Sequence, residues 1–106
     1  SSTGALTYVE MQKDGVNGVD GLNDAFSVTV SPDGKHVYAA AVNDNAVAVF
    51  YRNSLTGALT YVEMQKDGVG GVDGLNGAYS VAVSPDGKHV YAAAVNDDAV
   101  AVFSRD

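Results

Sequence analysis

Short apolar runs, alternating or continuous, recur along this chain, each stopped by a cluster of Gly, Asn, Asp or Pro. None carries the i, i+3, i+4, i+7 spacing of an amphipathic helix. The β-branched run Phe26–Ser31 ends at Pro32-Asp33-Gly34-Lys35, where Pro presets φ and Gly accepts a positive φ, a pattern that predicts a hairpin. The return run His36–Val42 stops at Asn43-Asp44-Asn45, and Ala46–Tyr51 predicts a third strand. Arg52–Gly57 then leads into Ala58–Gln65, a fourth and more polar strand. Ala39, Ala40 and Ala41 have low strand propensity in isolation, but small residues suit a strand covered on both faces by closely approaching sheets.

The pattern occurs twice. Thr3–Asn53 aligns without gaps on Thr56–Asp106, and seven of the 51 aligned positions differ: Asn17/Gly70, Asp24/Gly77, Phe26/Tyr79, Thr29/Ala82, Asn45/Asp98, Tyr51/Ser104 and Asn53/Asp106. Repeats of about this length mark solenoids, propellers and arrays, whose units bury their apolar faces only against neighbours. Four antiparallel strands per unit make one propeller blade. Residues 1–106 therefore form a single two-blade segment, with repeat 1 at 3–53 and repeat 2 at 56–106.

Ser31-Pro-Asp-Gly-Lys-His-Val-Tyr38, Asn43-Asp-Asn-Ala-Val-Ala-Val-Phe50 and Thr56-Gly-Ala-Leu-Thr-Tyr61 together resemble the lactonase-like, YVTN-type β-propeller repeats of bacteria. The resemblance covers both units. It implies an all-β propeller fold, and it implies lactonase chemistry only loosely, because these are scaffold motifs.

With strands lettered A to D from the propeller axis outward, the chain runs D, then A-B-C-D, then A-B-C. Ala5–Gln12 is the expected outer strand without its inner three, and Ala78–Phe103 supplies three inner strands without an outer one. Unpaired edges are templates for association, and two blades cannot close a ring. The expected partner is therefore the chain itself, in a closed homo-oligomeric ring where Ala5–Gln12 of one copy completes the last blade of the next. A homotetramer of eight blades is preferred to a homotrimer of six.

The chain has 106 residues, 46% of them hydrophobic, and a formal net charge of −7. A core is expected, and a phosphate backbone would be repelled, so nucleic acid is not an expected partner. No window approaches the roughly 18 apolar residues of a bilayer span, and Ser1–Leu6 lacks the charged and apolar regions of a leader. No membrane partner is expected. Cysteine is absent, which removes disulfides and thiolate chemistry.

The D-to-A linker, Lys13–Asp24, repeats as Lys66–Gly77. Its Asp14, Asp20, Asp67 and Asp73 are the candidate metal ligands, on a rim shared with Asp44, Asp97 and Asp98, and Ca2+ is the hard cation such oxygens suit. The spacing departs from an EF-hand loop, and Asp-Gly and Asn-Gly pairs also form turns, with Val16, Val19 and Leu22 folded over the blade. This linker leads into a strand rather than a helix, so it is no phosphate cradle.

No catalytic residue is expected. His36 and His89 flank turns without a neighbouring ligand, Glu10 and Glu63 lie on the outermost strand, and Ser31, Asp33 and His36 crowd one tight turn without a nucleophile elbow. Tyr8, Tyr38, Tyr61 and Tyr91 are expected in the core. The leading expectation is a structural, self-assembling module without catalysis or cofactor. A cation- or ligand-binding module is the alternative from the residues, and a segment of a lactonase-like hydrolase the alternative implied by resemblance.

Overall fold

The computed structural model describes residues 3–106, so Ser1 and Ser2 of the stretch read for a leader lie outside the described residues. Seven strands follow in order: β1 (Ala25–Val30), β2 (His36–Ala41), β3 (Ala46–Arg52), β4 (Leu59–Lys66), β5 (Ala78–Val83), β6 (His89–Ala94) and β7 (Ala99–Ser104). They form a four-stranded sheet, β1-β2-β3-β4, and a three-stranded sheet, β5-β6-β7. All pairings are antiparallel. The expected strands in the first blade are displaced by no more than one residue at their ends.

The β1–β2 turn closes as its residue types dictate. Gly34, at φ 75°, donates its N–H to Ser31 O at 2.9 Å, and Asp33 accepts from the Ser31 hydroxyl at 2.5 Å and the Lys35 N–H at 2.9 Å. Three of the seven differences between repeats fall at positive φ: Asn17 against Gly70, Asp24 against Gly77, and Asn45 against Asp98. Only Gly, Asn and Asp appear there, the residues that enter the left-handed region at least cost.

Alternation along the strands gives each blade two apolar faces. Tyr38, Ala40 and Val47 of the first blade pack against Leu75, Ala78, Val81, Val90 and Ala92 of the second. On the opposite face of the first blade, Val37, Ala48 and Phe50 lie beneath Val19 and Leu22 of the linker and Leu59 and Tyr61 of β4. Ala40, Ala41, Ala46 and Ala48 are fully buried, because both sides of the sheet are covered where the backbones come closest. A bulge skips Phe26 in the β1–β2 ladder, and its counterpart skips Tyr79. The two released rings stack at 4.0 Å between centroids, joining the inner strands of the two blades.

Ala5–Gln12, expected to pair only on a second copy, joins no sheet among the described residues. Its own chain offers it no ladder partner, and side chains substitute for the backbone. The Glu10 carboxylate accepts the Leu59 N–H at 2.7 Å, and Gln12 Nε2 donates to Leu59 O at 3.0 Å, along the free edge of β4. Two of the four tyrosines lie outside the core. Tyr38 is 6% exposed in the core, whereas Tyr91 is 39% and Tyr8 79% exposed, since no described element covers them.

Candidate functional site

Each repeat gathers three carboxylates at one end of its blade, where the D-to-A linker meets the turn between the second and third strands. Oxygens of Asp14, Asp20 and Asp44 lie within 4.8 Å of one another, and those of Asp67, Asp73 and Asp97 do the same. The linker loops back through its own Gly and Asn turns, and the carboxylates tie it down. Asp14 accepts the Leu22 N–H at 3.1 Å, Asp20 the Gly21 N–H at 2.8 Å, and Asp44 the Asn23 N–H at 3.0 Å. Asp67, Asp73 and Asp97 repeat these bonds to Leu75, Gly74 and Asn76. Asp98 stands outside the trio. Burial pushes the Tyr61 phenol up, aided by the charges of Asp20, Glu63 and Asp14.

The strongest electrostatic feature lies elsewhere, at the junction of the two blades. Arg105, just beyond β7, has a side chain only 8% exposed and reaches across to the first blade. Its Nη2 donates to both oxygens of Asp33 at 2.9 and 3.0 Å, and its Nε donates to the Tyr38 hydroxyl at 2.7 Å. Nη2 also lies 3.0 Å from Nδ1 of His36, which must accept because guanidinium only donates. Within its own blade, Nη1 donates to Gly87 O at 2.8 Å. The guanidinium, then the Ser31 hydroxyl and the Lys35 N–H, hold the Asp33 carboxyl far below the usual carboxylate range. Sequence reasoning missed this cluster, since Asp33 and Arg105 are far apart in the chain and neither stands out locally.

Beside the cluster lies a cleft of about 260 Å³, lined by Val47, Val49, Val62 and Glu63 of the first blade and by Phe103 and Arg105 of the second. It follows β7, whose outer edge has no strand beside it. In the first blade the matching position is filled: Tyr61 of β4 meets Phe50 edge-on at 5.7 Å.

The same bonds occupy the side chains that a catalytic combination would draw on. The Ser31 hydroxyl donates to Asp33 and accepts the backbone N–H of His36 at 3.1 Å, while the His36 ring faces Arg105. Glu10 is spent on Leu59, and that bond with a second from Gln12 lowers its pKa. Glu63 accepts from Gln65 at 3.0 Å.

Among curated proteins, none matches the chain. Solved structures do. A periplasmic gluconolactonase from Pseudomonas aeruginosa is 27% identical with a TM-score of 0.71, over 92% of this chain and 26% of that one. A 6-phosphogluconolactonase-like protein from Bacteroides fragilis is 28% identical with a TM-score of 0.65, over 77% of this chain and 21% of its own. A similar protein from Bacteroides uniformis is 26% identical with a TM-score of 0.69, over 84% and 25%. The chain thus spans about a quarter of the length of these structures. The model of the family described as lactonase, 7-bladed beta-propeller, matches residues 1–106. The two sheets, their turns and the repeated motifs agree with that match, and the chain belongs to this lactonase family of β-propellers.

Proposed function

We propose that this chain is a self-assembling propeller module without catalysis of its own, which closes a ring with copies of itself. One observation carries the reading: residues at the same position of the two repeats are buried where a neighbouring blade is present and exposed where it is not. Val47 is 2% exposed against blade two, and its copy Val100 is 63% exposed. Val81 is 6% exposed against blade one, and its copy Val28 is 66% exposed.

The outward face of the second blade therefore repeats the face that the first blade buries, and the outward face of the first repeats that of the second. Each matches the other on a second copy. Fully burying a valine is worth roughly 1.5–3 kcal/mol, and Val28, Val30, Val100 and Val102 all stand open to that gain. The contact is head-to-tail, and it closes when the turn per blade divides the circle.

Strand exchange completes the contact. Ala5–Gln12 repeats Ala58–Gln65, which holds all of β4 but Lys66, so on a second copy it pairs with β7 and seats Tyr8 against Phe103, as Tyr61 sits against Phe50. Two blades per chain make the blade number even. The family's seven-bladed ring turns by about 51° per blade, against about 45° for eight and about 60° for six, so a tetramer needs the smaller adjustment. Removing residues 1–12 tests the exchange. Loss of assembly with an intact sheet signal supports it, and undiminished assembly contradicts it.

A second reading is favoured by the convergence of three carboxylates in each repeat: a divalent cation such as Ca2+ held by Asp14, Asp20 and Asp44 and by Asp67, Asp73 and Asp97. A rise in melting temperature with Ca2+ that disappears in the variant Asp20→Asn with Asp73→Asn supports it. No shift in the parent chain rules it out. The gluconolactonase name of the relatives suggests hydrolysis of a sugar lactone, and purified chain that turns over no gluconolactone excludes that reading.

A further inference from the structure

We infer that Arg52 of one copy and Asp86 and Tyr91 of the next form a clasp that sets the register of the contact between copies. The inference rests on the assembly proposed above. Inside the chain the corresponding clasp is complete, with Arg105 of the second blade held by Asp33, Tyr38 and His36 of the first.

Arg52 occupies the position of Arg105 in the first repeat, and it already makes the bonds that stay within a blade. Its backbone N–H donates to Lys35 O at 2.7 Å, as that of Arg105 donates to Lys88 O at 2.8 Å. Its Nη1 donates to Gly34 O at 2.9 Å, as Arg105 donates to Gly87 O at 2.8 Å. The bonds that cross between blades have no counterpart at Arg52 among the described residues, because the blade bearing their acceptors is not in this chain.

Those acceptors stand ready on the opposite face. Asp86 accepts from the Ser84 hydroxyl at 2.6 Å and the Lys88 N–H at 3.0 Å, the posture in which Asp33 meets Arg105. These two bonds hold its pKa below the usual range, so the carboxylate arrives charged. Tyr91 is partly exposed, where Tyr38 is buried. His89 sits beside Tyr91 at 6.4 Å between rings, as His36 sits beside Tyr38. Both halves of the clasp are thus preformed.

The clasp supplies what the apolar faces cannot. Stripes of Val and Ala tolerate sliding, whereas a planar guanidinium that grips both oxygens of one carboxylate fixes a single alignment. The partner this surface fits is a second copy of the same chain, in one orientation.

Charge exchange between Arg52 and Asp86 tests the inference by light scattering and native mass spectrometry at micromolar protein. Arg52→Glu sets a carboxylate opposite Asp86 and is expected to raise the concentration for half-assembly by about tenfold or more, with the sheet signal in circular dichroism intact. Asp86→Lys is expected to do the same. An equimolar mixture of the two variants is expected to assemble again, since each offers the charge the other lacks, and only in even numbers of copies.

Arg52→Glu that assembles at the concentration of the parent chain overturns the clasp and leaves assembly standing. A parent chain that stays monomeric overturns assembly, and the clasp with it. Where Arg52→Glu does not fold, Tyr91→Phe takes its place, because the Tyr91 hydroxyl bonds nothing in its own chain among the described residues. An increase of about threefold or more in the half-assembly concentration supports the clasp, and no increase overturns it.

Discussion

A β-carbon placed on Gly21 would lie 2.8 Å from Cβ of Met64 in β4, while one placed on its copy Gly74 meets nothing nearer than 3.7 Å. Both glycines hold the left-handed backbone, at φ +85° and +87°, so alanine is strained at either by about 1 kcal/mol or more. The difference is the fourth strand, which the first blade has and the second lacks. Overpacking against Met64 adds about 1–3 kcal/mol. In urea titrations of dilute monomer, Gly21→Ala is expected to destabilise more than Gly74→Ala. If the proposed exchange puts Met11 of a second copy where Met64 stands in the first blade, the gap is expected to narrow in assembled protein.

The exposed valines separate folding from association. Val28→Lys and Val100→Lys lie on open faces and are expected to change monomer stability by no more than about 0.5 kcal/mol. Each places a charge in the contact between copies and is expected to raise the half-assembly concentration by about a hundredfold. Val47→Lys and Val81→Lys put the same charge into the contact inside the chain, and loss of the folded sheet in circular dichroism is the expected result.

Two of the repeat differences meet in one hydrogen bond across the seam. Inside the chain, the Gly77 N–H donates to Asn45 Oδ1 at 2.8 Å, and the copies of these residues are Asp24 and Asp98. The proposed contact between copies would therefore place two acidic residues where this bond has none. Asp98→Asn is expected to lower the half-assembly concentration several-fold at pH 7, and added salt to shrink the advantage. Sedimentation at two ionic strengths measures both.

The Asp33–Arg105 pair makes stability pH-dependent in a known direction. The folded-state pKa of Asp33 is depressed, first by Arg105, so its contribution is present above the ordinary aspartate value of about 3.9 and is lost as pH falls through the depressed one. Arg105→Gln is expected to flatten the acid limb of a plot of urea midpoint against pH. A limb as steep as that of the parent chain would assign the acid sensitivity to other carboxylates.

How much of this was legible in the sequence depends on the range of the interactions. Strands, hairpins and the doubled unit were readable, because Pro32-Asp33-Gly34 turns and Val-rich runs act over a few residues and recur at one offset. The nearness of Asp44 to Asp14 and Asp20 also followed from strand order alone, which brings the linker and the second turn to one end of the blade. The Arg105 clasp was not readable. It depends on the angle between two blades, which is set by how Tyr38, Val47, Leu75 and Val81 pack, and near-identity of the repeats hides any sign that Arg105 has partners across the seam and Arg52, among the described residues, has none. The exposure of Tyr8 and Tyr91 escaped for a related reason: strand position says which face a residue occupies, not whether a neighbour covers it.

Native mass spectrometry of the 106-residue chain, from about one micromolar upward, tests whether the open faces find each other. The expected result is a discrete tetramer, eight blades in a closed ring, with no larger series. A chain that remains monomeric throughout, or that forms an unlimited ladder of sizes, would contradict the closed ring.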